Sequence, residues 1–230
     1  MEGHNAEDDR RLTVPQYLFR RLIHVSQCFV VIYYLFPGTV LHLPKEVLFV
    51  LLYGGVPLLI ESVRIRKGST IFGQRPHEVK RIGSYAWGLW ASMLIILFLP
   101  QTVAIPVIIT YALVDPLLGE LRPLNRWLAP ALGWGSAFLL FFAFGYHPSV
   151  AAYAAVFMLM GEATELLGRL RLRPDLIRLY SVNEIIQKDP GFEFRTDDNA
   201  TTQLVPAAAL GLVYMLYPGM FPDPWIVPLF

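Results

Sequence analysis

The stretch from Thr196 to Thr202 is the part of the chain best suited to chemistry. Asp197, Asp198 and Asn199 stand directly before an apolar segment that is typical of a membrane helix. One such side chain is enough to cap a helix, so three in a row followed by two Thr exceed that need. Adjacent carboxylates with an amide oxygen suit Mg²⁺ and leave room for substrate phosphates, which a helix N-terminus also attracts. The alternative interpretation is a simple helix cap.

Further acidic side chains fall near the ends of apolar segments, where ionisable groups are costly and are therefore functional candidates. Asp115 is followed by Pro116, which weakens a helix, so Asp115 is a second candidate metal ligand or base. Glu162 and Glu165 share one helix face and predict either a metal site or a local salt-bridge cluster. Glu61 and Glu120 lie at the same level, and the spacing of Glu61 with Arg64 predicts a structural ion pair.

Cationic side chains lie on one face of the first apolar segment. Arg20, Arg21 and His24 are spaced by three and four residues, so a helix brings them together. Two fixed cations beside a His predict a phosphate contact. An equally good interpretation is a membrane-surface anchor, in which Arg side chains reach lipid phosphates.

The elements that must position these residues are predicted to be membrane helices. The chain of 230 residues is 55% hydrophobic and only 16% charged, which is more apolar than a soluble domain. The pattern predicts an all-α, polytopic membrane bundle with a tail over 1–15 and a single transmembrane domain over 16–230. The expected spans are 22–43, 46–63, 84–99, 102–118, 128–146, 149–168 and 200–217.

The basic residues orient this bundle. Eighteen of the nineteen Lys and Arg fall in the N-terminal region or in the connections after the second, fourth and sixth spans, and only Lys45 falls elsewhere. The positive-inside rule then predicts a cytoplasmic N-terminus and places the acidic candidates on the cytoplasmic side. The lone Cys28 excludes an intrachain disulfide, and the absence of a Walker-type Gly-rich loop argues against P-loop chemistry.

Taken together, several segments resemble the CTP-dependent lipid kinase family, which includes dolichol kinase, phytol kinase and a fungal-type diacylglycerol kinase. They are Arg-Arg-Leu-Ile-His (20–24), Glu-Ser-Val-Arg (61–64), Arg-Pro-His-Glu-Val-Lys-Arg-Ile-Gly (75–83), Ala-Leu-Val-Asp-Pro-Leu-Leu-Gly (112–119), Gly-Ser (135–136), Gly-Glu-Ala-Thr-Glu (161–165) and Asp-Asp-Asn-Ala-Thr (197–201). The resemblance implies a helical membrane enzyme that transfers the terminal phosphate of CTP to a lipid alcohol with Mg²⁺ or another divalent cation. No nucleic-acid partner is expected.

The resemblance also implies roles for individual residues. Metal ligands are expected among Asp115, Asp197, Asp198, Glu162 and Glu165. Phosphate contacts are expected from Arg20, His24, Arg75, Lys80, Arg81, Asn199 and Thr201. One of Asp115, Asp197 and Asp198 would accept the proton of the alcohol. The protein would be multi-pass, in the plasma membrane of a prokaryote or the endoplasmic reticulum of a eukaryote.

Two other functions stay open at the level of the sequence. Where the family has a Lys ahead of Gly-Ser, this chain offers only Arg122 and Arg126, and Arg and Lys bind phosphate differently. The first alternative is therefore that the chain is a non-catalytic relative of the family that binds lipid or nucleotide. A membrane transporter is the third possibility, although its charges usually lie near the midplane rather than at one edge.

Overall fold

The computed structural model describes residues 12–74, 78, 79, 81–125, 127–167 and 197–224, with the backbone alone for 164–167. This part of the chain is mostly helical, which confirms the predicted helical class, and it holds seven successive helices. They are α1 (Val14–Ser26, continued as a 3₁₀-helix over Gln27–Leu35), α2 (Lys45–Lys67, with a π-helical turn over Val50–Gly55), α3 (Ser84–Phe98), α4 (Gln101–Leu121), α5 (Leu128–Ala143), α6 (Pro148–Leu167) and α7 (Asp198–Leu216).

Helix α1 lies closer to the N-terminus than the apolar pattern predicts, running over 14–35 rather than 22–43. The Thr13 backbone N–H donates to Gln16 Oε1 at 2.9 Å, and Pro15 stands in the first turn. Such a capping box favours the start of a helix at this point. A search for apolar runs overlooks the first turns of α1, because Arg20 and Arg21 make them less apolar.

A two-residue hairpin follows α1 and was not predicted. Strand β1 (Thr39–Val40) pairs antiparallel with β2 (Leu43–Pro44). The turn residues Leu41 and His42 both have positive φ, 53° and 64°, which is the geometry of a type I′ turn. Type I′ turns are usually indicated by Asn or Gly in the sequence. Leu41 and His42 occupy those positions here, so the sequence does not predict this turn.

Helix α2 ends in a left-handed turn that folds the next loop back over it. Gly68 has φ of 58°, a region where glycine alone carries no steric cost. The N–H of Gly68 donates to the Ile65 carbonyl, and the N–H of Ser69 donates to the Arg64 carbonyl. These bonds satisfy the last carbonyls of the helix and direct the loop back toward Arg64.

Helix α4 is the centre of the bundle. Within an 18-residue window, 72% of its residues are buried, against 11% for α1 and 17% for α2. The three helices are long and apolar enough to cross a membrane, while α3, α5 and the stretch Pro148–Ala163 are apolar but shorter. Most of the large apolar side chains of α1 and α2 are exposed, as expected for helices that face lipid.

Helices α6 and α7 approach each other closely. A Cβ added at Gly161 would lie 2.5 Å from the Thr201 carbonyl oxygen, so only glycine fits there. On the same helix, Ala151, Ala154 and Ala155 are fully buried. Small residues at these positions let the backbones pack together, as is common between membrane helices.

The helices alternate in direction, so that polar residues gather at one end of the bundle. We call this the polar end: it holds the starts of α1, α3, α5 and α7 and the last turns of α2, α4 and α6. Contacts between Arg20 and Glu78, His24 and Asp115, and Asn199 and Ser84 join these elements.

Candidate functional site

A small cavity at the polar end is lined by residues from three helices. Its volume is about 40 Å³, enough for an ion with one or two waters and much less than a pocket for a whole nucleotide. The lining residues are Arg20, Arg21, His24, Asp115, Asp198 and Asn199. Residues separated by most of the chain therefore face one space, as the sequence analysis required of a single site.

Arg20 is fixed in the cavity wall by two contacts. Its Nη1 lies 3.0 Å from Glu78 Oε1, and its Nη2 donates to Ser84 Oγ at 2.9 Å. The Ser84 carbonyl in turn accepts from Asn199 Nδ2 at 3.1 Å. Ser84 therefore connects the cationic helix α1 with the start of α7, and Arg20 is held before any ligand binds.

Arg21 is held from the other side. Its Nη2 lies 2.7 Å from Glu120 Oε1, and its Nε donates to the Tyr17 hydroxyl at 3.2 Å. The Tyr17 hydroxyl also donates to Glu120. A Cβ added at Gly119 would lie 2.8 Å from Arg21 Nη2, so the guanidinium occupies the space beside Gly119 at the end of α4.

His24 and Asp115 lie close together in the cavity wall, and they form an ion pair only when the His24 ring is protonated. His24 Nε2 lies 3.4 Å from Asp115 Oδ2, and both side chains are largely buried. The His24 ring also contacts the Tyr111 ring, with 4.7 Å between centroids. Pro116 is accommodated within α4 and does not end it, since the helix continues to Leu121.

The acidic stretch before α7 serves as a helix cap and also reaches the cavity. The Asn199 backbone N–H donates to Asp197 Oδ1 and Asp198 Oδ1, each at 3.0 Å, and Asp197 is the capping residue. Burial raises the pKa of the Asp197 carboxyl well above its usual range, and the charge of Asp198 raises it further. A cation bound nearby would lower the pKa of this carboxyl.

Behind the cavity wall, Arg64 organises the loop between α2 and α3. It forms a buried two-point pair with Glu61, with distances of 3.0 Å from Nε to Oε1 and 2.6 Å from Nη2 to Oε2. Its guanidinium also donates to the carbonyls of Glu78, Val79 and Arg81. The ion pair predicted from the spacing is confirmed, and it supports the loop that carries Glu78.

Several predicted site residues lie away from the cavity lining. The buried carboxylate of Glu162 in α6 pairs with Arg122 of the α4–α5 connection. The Thr201 hydroxyl donates to the Asp198 carbonyl at 3.2 Å, as a first-turn residue of a helix often does. Arg81 gives its carbonyl to Arg64. Arg75, Lys80 and the Glu165 side chain lie outside the described residues.

Three residues of the site were not among the predicted site residues. Glu78 and Ser84 fix Arg20, and Tyr111 packs under His24. Glu78 falls within the 75–83 segment, which is the one signal in the sequence that could have found it. Ser84 and Tyr111 read as an ordinary helix start and an ordinary core aromatic.

The cavity lining combines carboxylates with guanidinium groups, which are the side chains that would hold a divalent cation and phosphate oxygens. Among the described residues, no three His, Cys, Asp or Glu side chains come together as a metal-binding group, so this part of the chain holds no preformed carboxylate cage. Asp115 and Asp198 are nevertheless enough for Mg²⁺, which binds one or two carboxylates and otherwise water and phosphate oxygens. Arg20 and Arg21 beside them supply the donors that phosphate oxygens accept from.

Comparisons with known proteins add no further identification. No protein-family model, curated protein or solved structure matches this chain. The resemblance to CTP-dependent lipid kinases therefore stays a prediction from short segments, and the functional argument rests on the chemistry of the cavity.

Proposed function

We propose that this protein is an integral membrane enzyme that transfers the terminal phosphate of CTP to a long-chain lipid alcohol, with Mg²⁺ bound beside the phosphates. The observation that carries the proposal is the mixed-charge cavity, in which Arg20, His24, Asp115 and Asp198 face one another at the end of an apolar bundle. Phosphoryl transfer depends on charge neutralisation and positioning, and this donor set supplies both.

The proposed topology has seven spans with the polar end in the cytosol. Eighteen of the nineteen Lys and Arg fall in the N-terminal region or in the connections after α2, α4 and α6, and this bias supports the orientation because positive charge is retained on the cytoplasmic side. Helices α3 and α5, with 15 and 16 residues, are about 23–24 Å long, somewhat short of a bilayer core of about 30 Å. Local thinning of the bilayer accommodates such a difference at modest cost.

In the proposed reaction, the alcohol oxygen attacks the terminal phosphorus of CTP. A new oxygen–phosphorus bond forms while the bond to the bridging oxygen breaks, and CDP leaves with that electron pair. The alcohol proton passes to a carboxylate of Asp115 or Asp198. Arg20 and Arg21 hold the phosphates, and Mg²⁺ on the same carboxylates would neutralise the charge that develops. Because the cavity is small, the nucleoside lies beyond its mouth.

The test is transfer of labelled phosphate by the purified protein in nanodiscs. The protein is given Mg²⁺, CTP labelled on its terminal phosphate, and in turn polyprenol, phytol and diacylglycerol. We expect one of these to be phosphorylated, and Asp198→Asn to lower kcat/KM by about 100-fold or more. Asp223→Asn, which makes the same chemical change at an exposed position near the C-terminus, is the matched control. No transfer by the wild type, or equal transfer by Asp198→Asn, excludes the kinase.

A second candidate is a non-catalytic protein that binds a phosphate-bearing lipid or nucleotide. The small volume of the cavity favours it, because about 40 Å³ accommodates an ion or phosphate oxygens without a nucleoside. Thermal stabilisation by CTP with Mg²⁺, in the absence of any turnover, would identify this function.

A further inference from the structure

A second polar layer lies one helical turn deeper in the bundle than the cavity. Gln27 follows His24 by three residues, Tyr111 precedes Asp115 by four and Gln203 follows Asn199 by four, so each layer draws on the same helix faces. Gln27 is 5% exposed, and Tyr111 and Gln203 are fully buried. Polar side chains at such depth are costly unless they are paired, so this layer calls for an explanation.

One of the three residues of this layer, Gln203, is satisfied within the protein. Gln203 Nε2 donates to the carbonyls of Gly88 and Asn199, at 3.1 and 3.0 Å. Gln203 Oε1 accepts from Ser92 Oγ at 2.7 Å. This amide therefore joins α7 to α3 and needs no further partner.

The other two residues, Gln27 and Tyr111, each place a polar atom near Gly88 in α3. Among the described residues, Gln27 Oε1 and the Tyr111 hydroxyl have no hydrogen-bond partner, although both atoms are buried. A Cβ added at Gly88 would lie 2.9 Å from Gln27 Oε1 and 3.2 Å from the Tyr111 hydroxyl oxygen. Glycine at this position lets both side chains approach the α3 backbone, and the two oxygens lie within about 6 Å of each other, a separation that one hydroxyl can bridge with a hydrogen bond to each.

The chemistry of these two groups matches one hydroxyl. The amide oxygen of Gln27 accepts, and the Tyr111 hydroxyl donates, so together they suit a group that does both. Neither side chain carries a charge, which disfavours phosphate or a metal ion. We propose that Gln27, Tyr111 and Gly88 form a hydroxyl-binding subsite for the alcohol of the lipid substrate, an inference that rests on the proposed function.

The position of α1 gives a lipid a route to this subsite. Only 11% of the α1 window is buried, and Phe29 and Ile32, close to Gln27 on the same helix, are exposed. A lipid chain on this surface needs to pass the edge of α1 to bring its head to Gln27, whose side chain faces the interior of the bundle. The hydroxyl then lies about one helical turn from the carboxylates of the cavity.

The experiment separates binding of the hydroxyl from phosphoryl transfer. Equilibrium binding of a tritiated C20 prenyl alcohol and of its methyl ether, which cannot donate, is measured with the protein in nanodiscs. The wild type should bind the alcohol about tenfold tighter than the ether, and Gln27→Leu should remove this preference. Gly88→Ala adds a methyl group that would crowd the Gln27 amide and the Tyr111 hydroxyl, and it should weaken alcohol binding by a similar factor.

Two further variants test the alternative that an ordered water occupies the subsite. Tyr111→Phe should weaken alcohol binding about tenfold without lowering the melting temperature, because its hydroxyl has no partner among the described residues. Thr110→Val, which removes another buried hydroxyl without a described partner on the same helix, is the control and should change neither quantity. A lower melting temperature with unchanged alcohol binding would indicate a structural water and overturn the inference.

The outcomes also distinguish this inference from the proposed function. Alcohol preferred over ether through Gln27, without any phosphate transfer, would retain the subsite and exclude the kinase. Transfer by the wild type with unchanged KM for the alcohol in Gln27→Leu and Tyr111→Phe would retain the kinase and exclude the subsite. Equal binding of alcohol and ether by the wild type, or none, would also exclude it.

Discussion

At the scale of single residues, Arg64 connects the end of α2 with the loop that supports the cavity. Its guanidinium pairs with Glu61 and donates to carbonyls of the loop that carries Glu78, and Glu78 in turn fixes Arg20 at the cavity. Glu61 also accepts from the Gly83 backbone N–H at 2.8 Å, next to Ser84. A change at Arg64 is therefore transmitted to the cavity through backbone positions.

Arg64→Leu should lower the free energy of unfolding by about 3–5 kcal/mol, because it leaves the buried Glu61 carboxylate without its partner. Chemical denaturation in detergent micelles measures this change. Arg66→Leu, an exposed position on the same helix, is the matched control and should stay within about 0.5 kcal/mol of the wild type. Equal effects of the two substitutions would contradict the role assigned to Arg64.

The sequence predicts which residues belong to the site better than it predicts how they are held. Asp115, Asp198, Arg20 and His24 were expected together because each lies at the same end of an apolar segment, which hydropathy and charge reveal. That Ser84 would join Arg20 to Asn199 depends on which helices become neighbours. A single sequence carries no signal for that arrangement.

At the scale of the elements, glycine sets the distance between α6 and α7. The α6 backbone at Gly161 lies against the Thr201 carbonyl and the Thr202 Cα of α7, both within 3 Å of an added Cβ. The start of α7 also carries Asp198 and Asn199 of the cavity. The close packing of these two helices therefore sets the depth at which the acidic stretch lies. The start of α1 was harder to predict, because the hydrogen bonds of the Thr13 capping box set it and the apolar pattern does not show them.

Gly161→Ala should destabilise the fold by about 1–3 kcal/mol, because its Cβ meets backbone atoms, which cannot rotate away. Gly135→Ala is the matched control: an added Cβ there has nothing within 4 Å, so the substitution should be neutral or stabilise α5 by up to about 1 kcal/mol. Melting temperatures of the two variants in the same detergent decide the matter. A Gly161 variant as stable as the Gly135 variant would show that α6 and α7 can separate without cost.

At the scale of the whole molecule, the bundle has a buried centre and an apolar periphery. Helix α4 is enclosed by its neighbours, while α1 and α2 expose long runs of Leu, Ile, Val and Phe that water would not tolerate. The alternation of helix directions places basic and acidic residues at one end. Composition was sufficient to predict the helical, apolar bundle, since both features follow from a bilayer as the solvent. The central position of α4 was not predicted, because it depends on which helices become neighbours.

The proposed topology is tested by cysteine labelling in intact cells. After Cys28→Ala removes the single native thiol, Gly38→Cys and His147→Cys at one end should react with a membrane-impermeant maleimide. Ser69→Cys and Leu124→Cys, at the polar end, should react only after the cells are permeabilised. The reverse pattern would invert the orientation, and a mixed pattern would exclude the seven-span arrangement.

The division of the cavity among α1, α4 and α7 has a consequence for biogenesis. Asp198 and Asn199 belong to α7, which is synthesised after α1 and α4, the helices that carry the remaining lining residues. The partners of Arg20, Arg21 and Asp115 precede α7 in the chain: they are Glu78, Glu120 and His24. The side of the cavity that Asp198 and Asn199 line is therefore the last to form. The cavity is therefore complete only once α7 has packed into the bundle, and a chain released before α7 would lack Asp198 and Asn199 from the cavity lining.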